Sequence, residues 1–339
     1  MMKKKWLSLA LSAIVLLSFA ACGQEAPSSS EPAEQTVKTD FPKRPVEMVI
    51  PFGAGGASDI FARQYAQIAE KYLGKPITAV NKGGAGTIEG MSYAHAAPAD
   101  GYTILEITPS LLIVEAQGKS DIKFREEFEP LLKVQSDVVA FGVSSKSEFQ
   151  TIDELLEFAK ANPKILKIGG LSPGGLDDYI ANGFALEAGI EWTYVPYKSG
   201  SELKAAVLGG ELDVYQDKLI SFLPLVESGD IRPLVVLNDT KLEMVPALKD
   251  VPSSVEKGID FVQGSWRGFA IKKGVPEEVK AILIDVLQKS YDDEAYKAME
   301  EQEMTNVRPG YMKAEDYGKS WDEEYEGYVE VFKAMGIIQ

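Results

Sequence analysis

Residues 46–59 read VEMVIPFGAGGASD, an apolar strand running straight into a glycine-rich turn. Beyond the turn, Phe61, Tyr65, Ile68, Ala69, Tyr72 and Leu73 recur at helical spacing, so the segment reads as strand, turn and amphipathic helix. Gly74 stands where a helix ends in the left-handed conformation. Lys75 and Pro76 then turn the chain into a second strand at 77–80. The unit repeats: NKGGAGTIEG (81–90) opens another helix, and PADGYT (98–103) leads into a strand at 103–107.

The same alternation continues downstream. Thr151 and Glu154 form a capping box ahead of Leu155, Leu156, Phe158 and Ala159. Short apolar runs at 165–168, 193–195, 212–215 and 231–237 read as strands. Pro276 begins a helix carrying Val279, Ile282, Leu283, Val286 and Leu287 on one face, and an acidic helix covers about 314–334. Strands alternating with helices predict an α/β protein whose parallel sheets are covered on both faces. A body of roughly 300 residues is long enough for two lobes.

Three glycine-rich turns, Gly53–Asp59, Gly83–Thr87 and Gly169–Gly175, each follow a strand and precede a helix. Glycine lets a ligand approach the backbone, and a helix N-terminus offers unsatisfied N–H groups with partial positive charge. Together with the hydroxyls of Ser58, Thr87 and Ser110, they suit a small anion; singly, such turns merely join strands to helices. No GxxxxGK[ST] occurs, and GAGGAS lacks the spacing of a dinucleotide fingerprint. With His95 the sole histidine and Cys22 the sole cysteine, neither a zinc site of His and Cys nor a nucleophile–histidine arrangement can be assembled. No catalytic residue, metal or cofactor is expected. Asp177 and Asp178 read as a solvated helix start, or as partners for a ligand amine.

Lys3, Lys4 and Lys5, an uncharged run from Trp6 to Phe19, and Ala20–Ala21 before Cys22 have the layout of an export signal spanning 1–21. Cys22 then stands where a lipoprotein carries its acyl chains, which would anchor the protein to the outer face of the cell membrane. Residues 22–40, rich in Ser, Pro, Glu and Gln, read as a tether. The formal net charge is −16, and losing the three signal lysines would make it more negative still. That balance argues against nucleic acid or anionic headgroups as partners.

IPFGAGGASDI, NKGGAGTIEG, PADGYTIL, YVPYKSGSE, LGGELDV and SWRGFAIKKGVP together resemble the solute-binding component of tripartite tricarboxylate transporters, often called the Bug family. The resemblance covers residues 41–339. It implies a two-lobed, periplasmic-binding-protein-like (type II, Venus flytrap) fold with a central cleft, lobe one being 41–140 with 265–339 and lobe two 141–264. It further implies a monomer that captures a small organic acid for integral membrane transporter subunits and performs no chemistry. Ligand presentation to a membrane sensor and an extracytoplasmic hydrolase or lyase are the rival readings.

By the same resemblance the first loop contributes Phe52, Gly55, Gly56, Ala57, Ser58 and Asp59, the second Gly84, Ala85 and Gly86, and the third Thr108, Pro109 and Ser110. Lobe two contributes Ser172, Gly174, Gly175 and Asp178, then Tyr197, Lys198 and Asp217. Gly53 and Ala54 replace prolines usual in the first loop. Arg267 is expected either in a structural ion pair or against a ligand carboxylate.

Overall fold

The structure is a computed structural model and describes residues 40–339. The export signal, Cys22 and nearly all of the tether lie outside the described residues. Strands β1 Val46–Ile50, β2 Ile77–Asn81, β3 Thr103–Ile107, β4 Phe128–Ser136 and β5 Val139–Ser144 come first. They are followed by β6 Lys167–Gly170, β7 Thr193–Pro196, β8 Tyr215–Lys218, β9 Ile231–Val236, β10 Trp266–Lys272 and β11 Met312–Lys313. The helices between them are α1 Ala57–Leu73, α2 Ile88–Ala96, α3 Pro109–Ala116, α4 Phe124–Glu127, α5 Ile152–Ala161 and α6 Leu176–Ala188. Then come α7 Gly200–Gly209, α8 Leu219–Glu227, α9 Glu277–Tyr291, α10 Glu294–Gln302 and α11 Ala314–Ala334.

A six-stranded sheet has the order β11-β4-β10-β3-β1-β2, a three-stranded sheet the order β8-β5-β9, and β6 pairs with β7. The expectation of parallel sheets needs correction. β1 runs parallel to β2 and β3, but β10 is antiparallel to both β3 and β4, and β5 is antiparallel to β8 and β9. The reason lies in connectivity: β10 returns from the second sheet and enters the first from the opposite end. The expected strands at 165–168 and 212–215 sit at Lys167–Gly170 and Tyr215–Lys218, because the apolar residues before them serve as entry segments. Pro276 occupies the N-cap of α9 rather than its first turn.

Two segments join the sheets. β4 passes into β5 through Asp137 and Val138, and β10 begins after Ser265; the Asp137 N–H donates to the Ser265 carbonyl at 2.7 Å. Arg308 donates to the carbonyls of both Asp137 and Leu237, and Asp137 also pairs with Lys218 at 2.6 Å. The β4–β5 crossing takes only two residues, while the β9–β10 connection is the longer segment 237–265, and the two meet at the Asp137–Ser265 hydrogen bond.

Each face of the first sheet is buried. Phe61, Tyr65, Ile68 and Ala69 of α1 pack with Val279, Leu283 and Leu287 of α9 on one side, and the Tyr65 hydroxyl donates to the Leu287 carbonyl at 2.7 Å. On the other face α3 and α11 cover the strands. The core there continues through Tyr179 of α6, which meets Tyr328 edge to face at 4.6 Å, to Phe141 and Phe184 against the second sheet. The last helix therefore packs on β4 of the first sheet and on α6.

A Cβ on Gly264 would collide with the backbone carbonyl of Asp137, the same oxygen that Arg308 grips. Gly264→Ala is expected to lower stability by about 1–3 kcal/mol, the range for overpacking, in a urea unfolding experiment. An unchanged unfolding midpoint would show that this crossing is not tightly packed.

Candidate functional site

Two of the glycine turns share one construction in different parts of the chain. Gly55-Gly56-Ala57-Ser58-Asp59 and Gly174-Gly175-Leu176-Asp177-Asp178 each open a helix with glycine at the N-cap and no side-chain cap. In each, the aspartate in the third helical position reaches back to the first glycine. Asp59 accepts the Gly55 N–H at 2.8 Å, and Asp178 accepts the Gly174 N–H at 2.7 Å. Gly55 and Gly174 have φ of +80° and +67°, which glycine adopts without steric cost.

These carboxylates brace the turns. The remaining oxygen of Asp59 accepts from Arg63 at 2.8 Å and Asn81 at 2.9 Å, and that of Asp178 from Asn182 at 2.7 Å. The Gly55 N–H above all, then Asn81 and Arg63, hold the Asp59 carboxyl below its ordinary range against the effect of burial. For Asp178 burial dominates and raises the pKa despite Gly174 and Asn182. In this structure the oxygens of Asp59 and Asp178 are engaged by the turns themselves and by Arg63, Asn81 and Asn182. The first N–H groups of α1 and α6 keep no acceptor within the helix.

The second loop differs. Ala85, Gly86 and Thr87 have φ of +47°, +68° and +94°, three successive residues in the left-handed region. For a β-branched residue such as Thr87 this is a strained state, costing on the order of 1–3 kcal/mol. Thr87 is 2% exposed, and its hydroxyl has no hydrogen-bond partner. The loop packs so closely under the first that a Cβ on Gly83 would strike the backbone of Phe52 and Gly53.

Between these turns lies a cavity of about 790 Å³. Phe52, Gly53, Gly83–Thr87, Ser110, Ile113, Val114, Gln117 and Lys119 line it on one side, and Leu171–Asp177 on the other. Gln117 spans the two sides, its amide donating to the Gly174 carbonyl at 2.6 Å. Lys119 and Asp177 are the charged side chains in the lining. A second cavity of about 110 Å³ shares Leu171, Leu176 and Asp177 with the first and is also lined by Gly200, Gln216, Asp217 and Lys218.

Of the residues expected in the cleft, Phe52, Gly84, Ala85, Gly86, Ser110, Ser172, Gly174 and Gly175 line the large cavity, and Asp217 lines the smaller one. Asp217 is braced by the Tyr215 hydroxyl and its own neighbour's N–H. Gly55, Gly56, Ala57, Ser58 and Asp59 line neither cavity, the first three being exposed and the last two buried, and Thr108 caps α3 while Pro109 is buried at its start. Tyr197 and Lys198 line neither cavity, and the Lys198 N–H is bonded to Glu202. Arg267 is 6% exposed and absent from both linings. Among the residues that sequence reading missed, Lys119 and Gln117 stand out. They follow α3 outside any glycine motif, so nothing local marked them.

The arrangement offers uncapped backbone N–H groups, hydroxyls and one lysine, with no histidine or cysteine near. A family model described as the tripartite tricarboxylate transporter family receptor matches residues 61–337. The chain belongs to this family. It is a solute receptor, not an enzyme, and has the periplasmic-binding-protein α/β fold. A Cupriavidus necator protein described as the UPF0065 protein in the gbd 5' region is 28% identical over 301 residues, covering 88% of this chain and 90% of that one. A TctC solute binding protein from Polaromonas, solved without ligand, superposes with a TM-score of 0.77 at 23% identity, covering 87% of this chain and 99% of that one. R. palustris Rpa4515, solved with adipate, gives 0.68 at 24% identity, covering 88% and 99%.

Thr87→Gly should raise the stability of the unliganded receptor by about 1 kcal/mol, the released strain exceeding the extra chain entropy of glycine. It should also weaken anion binding through loss of the hydroxyl. Chemical denaturation with and without ligand separates the two effects, and a destabilised variant would refute the strain.

Proposed function

We propose that this receptor closes around a small carboxylate, held chiefly by backbone N–H groups of the second loop and of α6, and delivers it to membrane subunits of a tripartite transporter. The observation that carries the reading is the aspartate-braced glycine turn before α6, which leaves an uncapped helix N-terminus in the cavity wall opposite the second loop. Each such terminus contributes about 0.3–1 kcal/mol when exposed and up to ~2 when partly buried, so several together with hydroxyls support a micromolar affinity of about −8 kcal/mol. The adipate held by the R. palustris relative agrees with this ligand class.

Lys119 supplies what the notable turns do not, a positive charge at the rim of the cavity. It suits the distal carboxylate of a diacid. We assign the lobes as 41–140 with 265–339 and 141–264, moving about the Asp137 and Ser265 crossings. Ligand contacts from both sides favour the closed form, and that form is what a membrane partner would recognise. The export signal and Cys22 support an extracytoplasmic, lipid-anchored monomer.

The test is a thermal-shift panel of malate, succinate, adipate, citrate, glutamate and terephthalate on the purified chain after removal of copurified ligand. An acid at a hundred times its Kd should stabilise the receptor by about 2.7 kcal/mol. Lys119→Ala should weaken a diacid about fivefold relative to a monoacid, the scale of an exposed ion pair. No shift with any acid would overturn the carboxylate reading, and equal losses for diacid and monoacid would remove Lys119 from the distal site.

A further inference from the structure

Beneath the first turn of α1 lies an ionisable group that ligand capture, as described so far, does not use. Glu106, on β3, is completely buried, and neither carboxylate oxygen has a hydrogen-bond partner. It lies opposite Phe269 of β10 in the sheet register. Side chains two apart share a face of a strand, so Arg267 projects on the same side as Phe269 and Glu106. The Arg267 guanidinium stands 5.3 Å from the Phe61 ring of α1 and donates to Gln135 of β4 at 3.2 Å, while its Nε has no partner. Gln135 in turn donates to Glu303 at 2.8 Å. The Ser58 hydroxyl is near the carboxylate from the α1 side, but no bond of ordinary geometry reaches it.

Glu106 and Arg267 are therefore two buried, opposite charges on one face of the sheet, close enough to influence each other but not in a salt bridge, and the carboxylate lacks the hydrogen bonds that normally stabilise a buried charge. Such a carboxylate gains by taking up a proton. Burial raises its pKa to about 7, with Arg267 and then Ser58 opposing the rise. The groups facing it are Ser58 on α1 and Arg267 on β10, with Gln135 and Glu303 beyond Arg267. On the opposite face of the sheet, where Tyr317 of α11 packs over Gly268, the tyrosine hydroxyl is itself without a partner and its pKa is raised by burial. Asp59, the acid nearest in sequence to Ser58, is engaged by Gly55, Arg63 and Asn81.

The position of the pair gives it a consequence. β3 runs from Glu106 through Thr108 to Ser110, which lines the cavity, and Ser58 lies in the first turn of α1, just after the loop whose Phe52 and Gly53 line it. With Glu106 ionised the pair is neutral; with Glu106 protonated it presents the uncompensated positive charge of Arg267 behind both loops. Charge fields are screened far less through a packed interior than through solvent. We propose that the buried Glu106–Arg267 pair is a proton site coupled to the ligand site, so that the receptor binds an organic anion together with a proton. Glu106 is a positioning group in this role and touches no ligand.

The direction follows by linkage. An anion in the cleft disfavours ionised Glu106 and raises its pKa further, so affinity is highest below the pKa of the free receptor and falls as pH rises through it. A coupling of one pKa unit corresponds to a tenfold change in Kd. The inference rests on the carboxylate reading, and the experiment separates the two. Isothermal titration of the full chain uses malate or adipate, whichever binds, across about pH 6 to 9, in buffers of differing ionisation enthalpy. Wild type should weaken roughly tenfold over that range and take up a fraction of a proton per ligand near neutrality. Glu106→Gln, an isosteric stand-in for the protonated acid, should hold the acidic-side affinity throughout and take up none. Binding with a pH profile shared by both proteins would overturn the proton site while leaving the carboxylate function standing. Failure of either acid to bind at any pH would remove both. As a measurement independent of ligand, the infrared difference between the two proteins should show a protonated carboxyl band that disappears as pH passes about 7. A Glu106 already ionised at about pH 5.5 would contradict the proposal.

Discussion

Two helices of this receptor begin on glycine and leave their first N–H groups without an internal acceptor. At α6 that omission opens onto the cavity. A serine or aspartate at Gly175 would satisfy those groups with its own oxygen, and under the proposed function the cavity would then lose affinity for an anion. Asp59 and Asp178 act three positions later instead, tying down the glycine before the cap and leaving the helix mouth open. The carboxylates thus preserve a positive site although they are themselves negative. Their own charges are spent on Gly55, Arg63 and Asn81 in one case, and on Gly174 and Asn182 in the other. An acidic protein can in this way bind anions without a basic surface.

The rest of the fold holds the cleft loops around one cavity. The first sheet carries the loops after β1, β2 and β3 to one side of it, and the loop after β6 supplies the other. The Asp137 and Ser265 crossings are bonded to each other and gripped by Arg308, so the two sides share a short, well-defined pivot. α11 packs on β4 of the first sheet and on α6, with Trp321 against Phe124 of α4 and Tyr328 against Tyr179 of α6. Under the proposed lobe motion, these aromatic contacts would have to slide or flex, and their packing would limit how far the lobes part. Gln117 reaching Gly174 sets a polar contact across the opening.

Much of this was legible in the sequence, for identifiable reasons. β1, β3, α1 and α11 follow simple periodicities and end on recognisable signals, Gly74 among them, so their boundaries agree with the reading within a residue or so. β4 and β10 were not legible as strands. Lys133, Gln135 and Arg267 interrupt their apolar runs, and all three are buried, a cost that only tertiary partners make tolerable. The antiparallel insertion of β10 was hidden for the same reason, since it depends on where the chain returns rather than on local pattern. At the site, the glycine turns announced themselves, whereas the bracing role of Asp59 and Asp178 depends on geometry. Lys119 and Glu106 carried no motif, one being a lone lysine after a helix and the other a lone acid in an apolar strand.

A crystal structure of the receptor with a bound diacid tests the central claim most directly. The account predicts one carboxylate within hydrogen-bonding distance of backbone N–H groups from the Gly83–Thr87 loop and from the start of α6, with the Thr87 hydroxyl engaged and the distal carboxylate toward Lys119. A ligand held instead by side-chain carboxylates through an ammonium group, or seated away from the glycine turns, would contradict it.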